Sequence, residues 1–186
     1  GSLAARLAHL FMSEVVDKST HGLDLHTASN HRTNLPQTRA DLNDPESRKM
    51  AELFGAPVMV HGEAPQGSLR WAVARRKKPI VVYEAGEPHR YNDEAIRVGI
   101  RGVMRVIRGL DILRQTRPMR YLNVREAQRT GWVRARRSGL LKLSVKLGDT
   151  VKAKDRIAVI NDAFGDAHTE IHAPQAQTDV DSFQAL

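Results

Sequence analysis

Four consecutive apolar residues, Ile80, Val81, Val82 and Tyr83, stand directly before Glu84 and an Ala-Gly pair. A strand with one face in water alternates apolar and polar side chains, so an unbroken run of this kind demands cover on both faces. That places the run inside a sheet flanked by helices, and the neighbouring segments supply them. Downstream, Ile96, Ile100, Val103, Ile107, Leu110 and Leu113 step by four and three, which predicts a long helix with these residues as its apolar face. Upstream, Asp44-Pro45 opens a helix that carries Met50, Leu53 and Phe54 and stops at Gly55, while Ser68 caps another that runs through Val73 and ends before Pro79. "PVMV" at 57–60 reads as a buried strand and Leu23 to His26 as a short one, followed by a polar loop as far as Asn43. At the start, Leu3, Leu7, Leu10, Phe11 and Val15 give an amphipathic helix closed by Gly22. Helix and strand alternate, so residues 3–118 are expected to form an α/β domain.

Past Arg117-Pro118 the rhythm changes. "GWVRARRSGLLKLSVKLGDTVKAKDRIAVI" sets leucine and β-branched residues in near alternation, cut by Gly139 and by the turn signal Gly148-Asp149. Residues 119–186 are therefore expected to be a separate, small all-β module.

Composition narrows the function classes. The 186 residues carry 29 basic against 21 acidic side chains, a net charge of +8, which brings phosphate-bearing partners into question. The basic residues are scattered, however, and aromatic residues make up only 5%, thin for base stacking, so no nucleic-acid partner is expected. The absence of cysteine excludes a disulfide framework, a thiolate metal site and a cysteine nucleophile, and fits a cytoplasmic setting. No run approaches the ~20 apolar residues of a membrane span.

Several residues could carry chemistry. On a strand, Asp24 and His26 share one side, where the imidazole can bind a metal and the carboxylate can orient it; a polar strand end capping a loop explains the same letters. Glu84 ends a buried strand on its carboxyl side, where open α/β sheets hold ligands and a partly desolvated carboxylate suits general acid and base work; a solvated loop acid is the plain alternative. Arg32, Arg39 and Arg70 can each fork onto a carboxylate or serve in surface ion pairs, and Asn30 and Asn34 can donate to a substrate or form turns. His61 with Glu63, and His168 with His172 in "HTEIH", have spacings found at metal sites but lie in a loop and in a strand-like segment respectively.

Taken in order, "DLHTASNHRTNLPQTRADL", "GSLRWAVARRKKPIVVYEAGEPHRYNDEAIRVGIRGVMRVIRGL", "RARRSGLLKLSVKLGDTVKAKDRIAVI" and "IHAP" resemble the succinylglutamate desuccinylase/aspartoacylase family. The resemblance implies a zinc-carboxypeptidase-like α/β domain, here partial, followed by a β domain, and hydrolysis of the amide or related acyl bond of a small acylated substrate at one zinc. It matches His26 to a zinc-binding histidine and Glu84 to the glutamate that activates the zinc-bound water. It sets Arg32 and Arg70 near positions that hold a substrate carboxylate, and Asn34, read from its residue type, is expected beside them as a substrate donor. The family's first two zinc ligands, a histidine and a glutamate with two residues between them, have no counterpart before His26: His9 is followed at that spacing by Met12, and His21 by Asp24. The chain is thus expected to be a truncated or rearranged member, and its missing strands predict exposed edges and self-association into a homo-oligomer. Two other functions stay open from the residues alone, a catalytically silent self-associating fragment and a module that binds anionic ligands.

Overall fold

A computed structural model describes residues 1–29, 32–114, 122–165 and 168–173. Asn30, the Arg117-Pro118 junction, Pro174 and the tail after it lie outside the described residues. The elements run in order as α1 (Leu3–Phe11), a π-helical turn (Met12–Val16), β1 (Gly22–His26), β2 (Asn34–Ala40), α2 (Pro45–Phe54), β3 (Val58–His61), α3 (Leu69–Ala74), β4 (Ile80–Gly86) and α4 (Asp93–Gly109), then β5 (Arg125–Ala127), β6 (Leu140–Leu143), β7 (Arg156–Asn161) and β8 (His168–His172). Five strands form one sheet in the order β1-β4-β2-β3-β5, and three form a second, β6-β7-β8. The fold is mixed α/β with a separate β sheet, as expected.

The local signals act where the sequence places them. Asp44 accepts from the Ser47 amide to cap α2, Pro45 fills the first turn, and Gly55 ends the helix at a left-handed φ of 72°. Ser68 caps α3 in the same way, accepting from Trp71. The Ile80–Tyr83 run is buried throughout and lies between β1, parallel to it, and β2, antiparallel to it.

Three expectations are corrected. The polar segment expected to be loop contains β2, a central strand whose Asn34, Gln37 and Thr38 are all buried. Its composition and Pro36 hide it from any hydrophobic pattern, and the proline is tolerated because the pairing with β4 breaks register between Asn34 and Gln37. Secondly, β5 pairs with β3 in the first sheet, so that sheet reaches beyond the boundary expected at 118/119. Thirdly, the expected face of α4 meets the core only in part: Val103 and Leu110 pack against it, but the fully buried residues are Ala95, Gly99, Gly102 and Val106, and Ile96 and Ile100 are exposed.

Packing explains that face. A Cβ on Gly99 would stand 3.1 Å from the Tyr83 ring, and one on Gly102 would stand 2.3 Å from the Phe54 ring. The two rings lie against each other with centroids 4.8 Å apart, at the centre of a core that includes Met50, Leu53, Val81 and Val106. Glycines let the helix backbone come down onto those rings, and Ile96 and Ile100 are left exposed. The opposite face of the sheet is covered by Val16 and Val73 over Ile80. Helix α1 itself buries no residue, and Leu3, Leu7, Leu10, Phe11 and Val15 remain exposed.

Candidate functional site

Side chains alternate along β4, so Val81, Tyr83 and Ala85 enter the core beneath α2 and α4 while Glu84 faces the other way. In the parallel ladder His26 stands opposite Glu84, and in the antiparallel ladder on the other side Gln37 does. Asp24, two residues before His26, shares its side as strand geometry requires, and its Oδ2 lies 2.9 Å from His26 Nε2.

The irregularity in β2 aims a further residue. Asn34 is paired with Gly86 and Gln37 with Glu84, so three steps along β2 match two along β4. In a regular strand, Asn34 and Gln37, three residues apart, would point to opposite faces, and the extra residue of the bulge brings them to one. With it, Asn34 Nδ2 donates to Glu84 Oε2 at 2.7 Å. The other carboxylate oxygen, Oε1, faces Arg39 Nε at 3.6 Å, an ion pair too long to be a direct hydrogen bond. Glu84 is thus held on one oxygen by an amide and set in a positive field on the other.

Arg70 donates from both terminal nitrogens to the backbone, at 3.0 Å to the Gly62 carbonyl and 3.0 Å to that of Glu63. Burial lowers its pKa and the Arg39 charge lowers it further, while Asp41 and Glu84 pull the other way. It is a fixed cation within electrostatic reach of Glu84. Arg32, in the loop between β1 and β2, instead stands over the Trp132 ring, 5.3 Å from its centroid. Of the expected residues, Glu84, His26 and Asn34 come together, Arg70 lies beside them, and Arg32 is carried on a separate support.

Gln37 escaped the sequence reading, although it is buried opposite Glu84 with neither polar side-chain atom hydrogen-bonded to a protein group among the described residues. Arg39 was one arginine among several in the sequence. The signal for both is strand alternation from Glu84's partners, which needs β2 to be known as a strand.

Zinc is the metal that the resemblance implies, and the donors permit a test of fit. His26 is exposed, its ring meets a carboxylate, and it fits one ligand of a metal centre. Glu84 is engaged by Asn34 and Arg39. Among the described residues no group of three His, Asp or Glu side chains is placed to hold an ion, so these residues do not complete a zinc site. The two look-alikes add no such group. His61 Nδ1 accepts from the Leu42 amide at 3.1 Å. His168 and His172 sit at opposite ends of β8, where four steps along the strand set them roughly 13 Å apart.

The model of the succinylglutamate desuccinylase/aspartoacylase catalytic domain matches residues 2–110. A curated relative, the N-alpha-acetyl-L-2,4-diaminobutyric acid deacetylase of Halomonas elongata, is 29% identical over an alignment 174 residues long that covers 87% of this chain and 50% of the relative. Among solved structures, the apo form of the ectoine utilization protein EutE (DoeB) from Ruegeria pomeroyi superposes with a TM-score of 0.88 at 19% identity, covering 100% of this chain and 62% of that one. A succinylglutamate desuccinylase/aspartoacylase from Rhodobacter sphaeroides does so at 0.79 with 24% identity, covering 100% and 63%. The chain spans half the length of the curated relative and less than two thirds of these structures.

Proposed function

The chain belongs to the succinylglutamate desuccinylase/aspartoacylase family, and from that premise we propose that it carries the proton-transfer side of a hydrolase acting on the amide bond of small N-acylated amino acids. The observation that supports this most is the setting of Glu84: a strand-end carboxylate held by Asn34 at 2.7 Å, beside Arg39, and level with His26 on the next strand. A base fixed in this way takes a proton from the attacking water and returns it to the leaving amine. Arg70 and Arg32 are the cations that receive the substrate's carboxylate, and Asn34 orients the base. Zinc is the proposed cofactor, with His26 as one ligand of a site that the residues described leave incomplete; when bound, zinc would polarise the acyl carbonyl and stabilise developing negative charge. The deacetylase of Halomonas elongata, which acts on an N-acetylated diamino acid by its name, supports this substrate class.

The test is amine release from N-acetylated amino acids by zinc-loaded protein. Glu84→Gln keeps the shape and removes the base, so the rate is expected to fall about 10²- to 10⁴-fold. A Glu84→Gln protein that hydrolyses at the full rate removes Glu84 from the chemistry. Zinc content gives an independent check: about one ion per chain, lost in His26→Ala, supports the ligand, and equal zinc in both proteins rejects it.

A specific observation favours a second reading, self-association as the working property of this chain. The exposed apolar face of α1 and the edges of β1 and β5, which have no further strand beside them among the described residues, are surfaces a second copy can cover.

A further inference from the structure

The carboxyl ends of the parallel strands β1 and β4 look onto two different surroundings. On the face that carries Glu84, the nearby charges are the guanidinium groups of Arg39 and Arg70. On the other face, beside the start of α4, lies an open cleft of about 530 Å³. Its floor is made by the residues that come next in each strand: Thr27 follows His26, and Ala85 and Gly86 follow Glu84. Ala95 and Ile96 line it on the helix side. Crevices at the carboxyl ends of parallel strands are where α/β folds hold ligands, and this one begins one residue beyond both His26 and Glu84.

Polar residues border the cleft, but their hydrogen-bonding capacity is directed at one another and at the backbone. Glu87 and Arg90 form an ion pair at 3.6 Å, Asn92 Oδ1 accepts from the Ala95 amide at 2.9 Å, and Thr27 Oγ1 donates to the Ala28 carbonyl at 3.1 Å. His89 and Tyr91 are exposed, at its mouth. What is left for a ligand to touch inside is Ala85, Ala95, Ile96 and the bare backbone of Gly86, which holds a left-handed φ of 68°. The positive end of α4 does not call for an anion either, because Asp93 and Glu94 already occupy its first turn. A ligand group that gains from entering such a cleft is uncharged and apolar.

We infer that this cleft receives the acyl group of the substrate and selects an uncharged aliphatic chain, binding longer chains better than acetyl and rejecting a chain that ends in a carboxylate. The inference rests on the deacylase reading for what carries the chain into the cleft. With the amino-acid half of the amide turned toward Arg70, the acyl half of a bond poised at Glu84 leaves toward α4. The preference for an apolar group rests on the walls of the cleft alone. Ile96 is then a residue that determines acyl specificity, and its exposure is that of a wall waiting for a chain.

The probes are N-acetyl-, N-butanoyl- and N-hexanoylglycine, with N-succinylglycine as the charged control, and binding to the chain is read by calorimetry. Affinity is expected to rise about fourfold for each added methylene. N-succinylglycine, which has the carbon chain of the butanoyl compound but ends in a carboxylate, should bind at least about tenfold more weakly than it. Ile96→Glu puts a charge in the wall at an exposed position and should flatten the series, whereas Ile100→Glu, one turn along α4 and outside the cleft, should leave it rising. A flat series in the parent, the same rise in Ile96→Glu, or equal binding of the succinyl and butanoyl compounds overturns the inference. Failure of the two readings is distinguishable. A rise abolished by Ile96→Glu in a protein that hydrolyses no acyl amide keeps the apolar cleft and sinks the deacylase, whereas Glu84-dependent hydrolysis with a flat series does the reverse.

Discussion

Asn34 is two residues in one, a strand member by its backbone and a site member only through the extra residue that follows it. Its amide donates to Glu84 because three steps of β2 are set against two of β4. Asn34→Leu keeps the bulk and removes the donor. A hydrogen bond to a charged group contributes about 1.5–3 kcal/mol, so kcat/KM for an acylated amino acid is expected to drop at least about tenfold with little change in the far-ultraviolet circular dichroism. An unchanged rate constant would show that Glu84 needs no such restraint. At this scale the sequence was partly legible: strand alternation alone puts Asp24 beside His26, and the structure finds them 2.9 Å apart. The Arg39–Glu84 and Arg32–Trp132 meetings were not, because each joins residues far apart in the chain and depends on strand order that no local pattern encodes.

Among the elements, caps and breakers were the most readable part of the sequence. Asp44, Gly55 and Ser68 fix their helix ends through bonds to their own neighbours, and such bonds follow from local order. Periodicity finds only part of the core face of α4, because it counts large aliphatic residues, whereas close approach to an aromatic ring selects glycine. Gly102→Ala tests this directly. Alanine favours an exposed helix by about 1 kcal/mol over glycine, but here its Cβ would lie 2.3 Å from the Phe54 ring. The overlap is expected to win, with a net loss of about 1–3 kcal/mol in urea denaturation; a gain in stability would mean that α4 can lift off the rings freely.

A second element-scale prediction concerns β5, which is tied to α2 by the paired bonds of Arg48 to Glu126, 2.7 and 2.9 Å long. These hydrogen bonds hold the Glu126 carboxyl below the usual range, against the opposing effect of burial and with added help from the Arg48 charge. A carboxyl that binds its proton less readily when folded contributes fully above its unfolded value, about 4.3. The contribution is lost as pH falls through the lower folded value. Glu126→Gln should therefore cost about 1 kcal/mol at pH 7 and almost nothing near pH 2, read as the shift in urea midpoint at each pH. An equal cost at both values would trace the effect to packing.

For the whole molecule, apolar surface lies on two outer faces at once. Leu7 of α1 is 57% exposed and Ile100 of α4 is 61% exposed. Light scattering over a range of protein concentration is expected to show a mass that rises above the monomer, and Leu7→Glu or Ile100→Glu to bring it back according to which face is used. A constant monomer mass would leave those faces to some other cover. Among the described residues no helix is long and apolar enough to cross a membrane.

The order of the five strands also sets a timetable for solvent exchange. β4 has a hydrogen-bonded neighbour on each side and cover on both faces, so its amides should trade hydrogen for deuterium only in the rarest openings. β1 is bonded along one edge, and its last residues, Leu25 and His26, are exposed. Glu84 and His26, level across the ladder, therefore belong to parts of the chain with different lifetimes, and gentle warming should release the imidazole long before it disturbs the carboxylate.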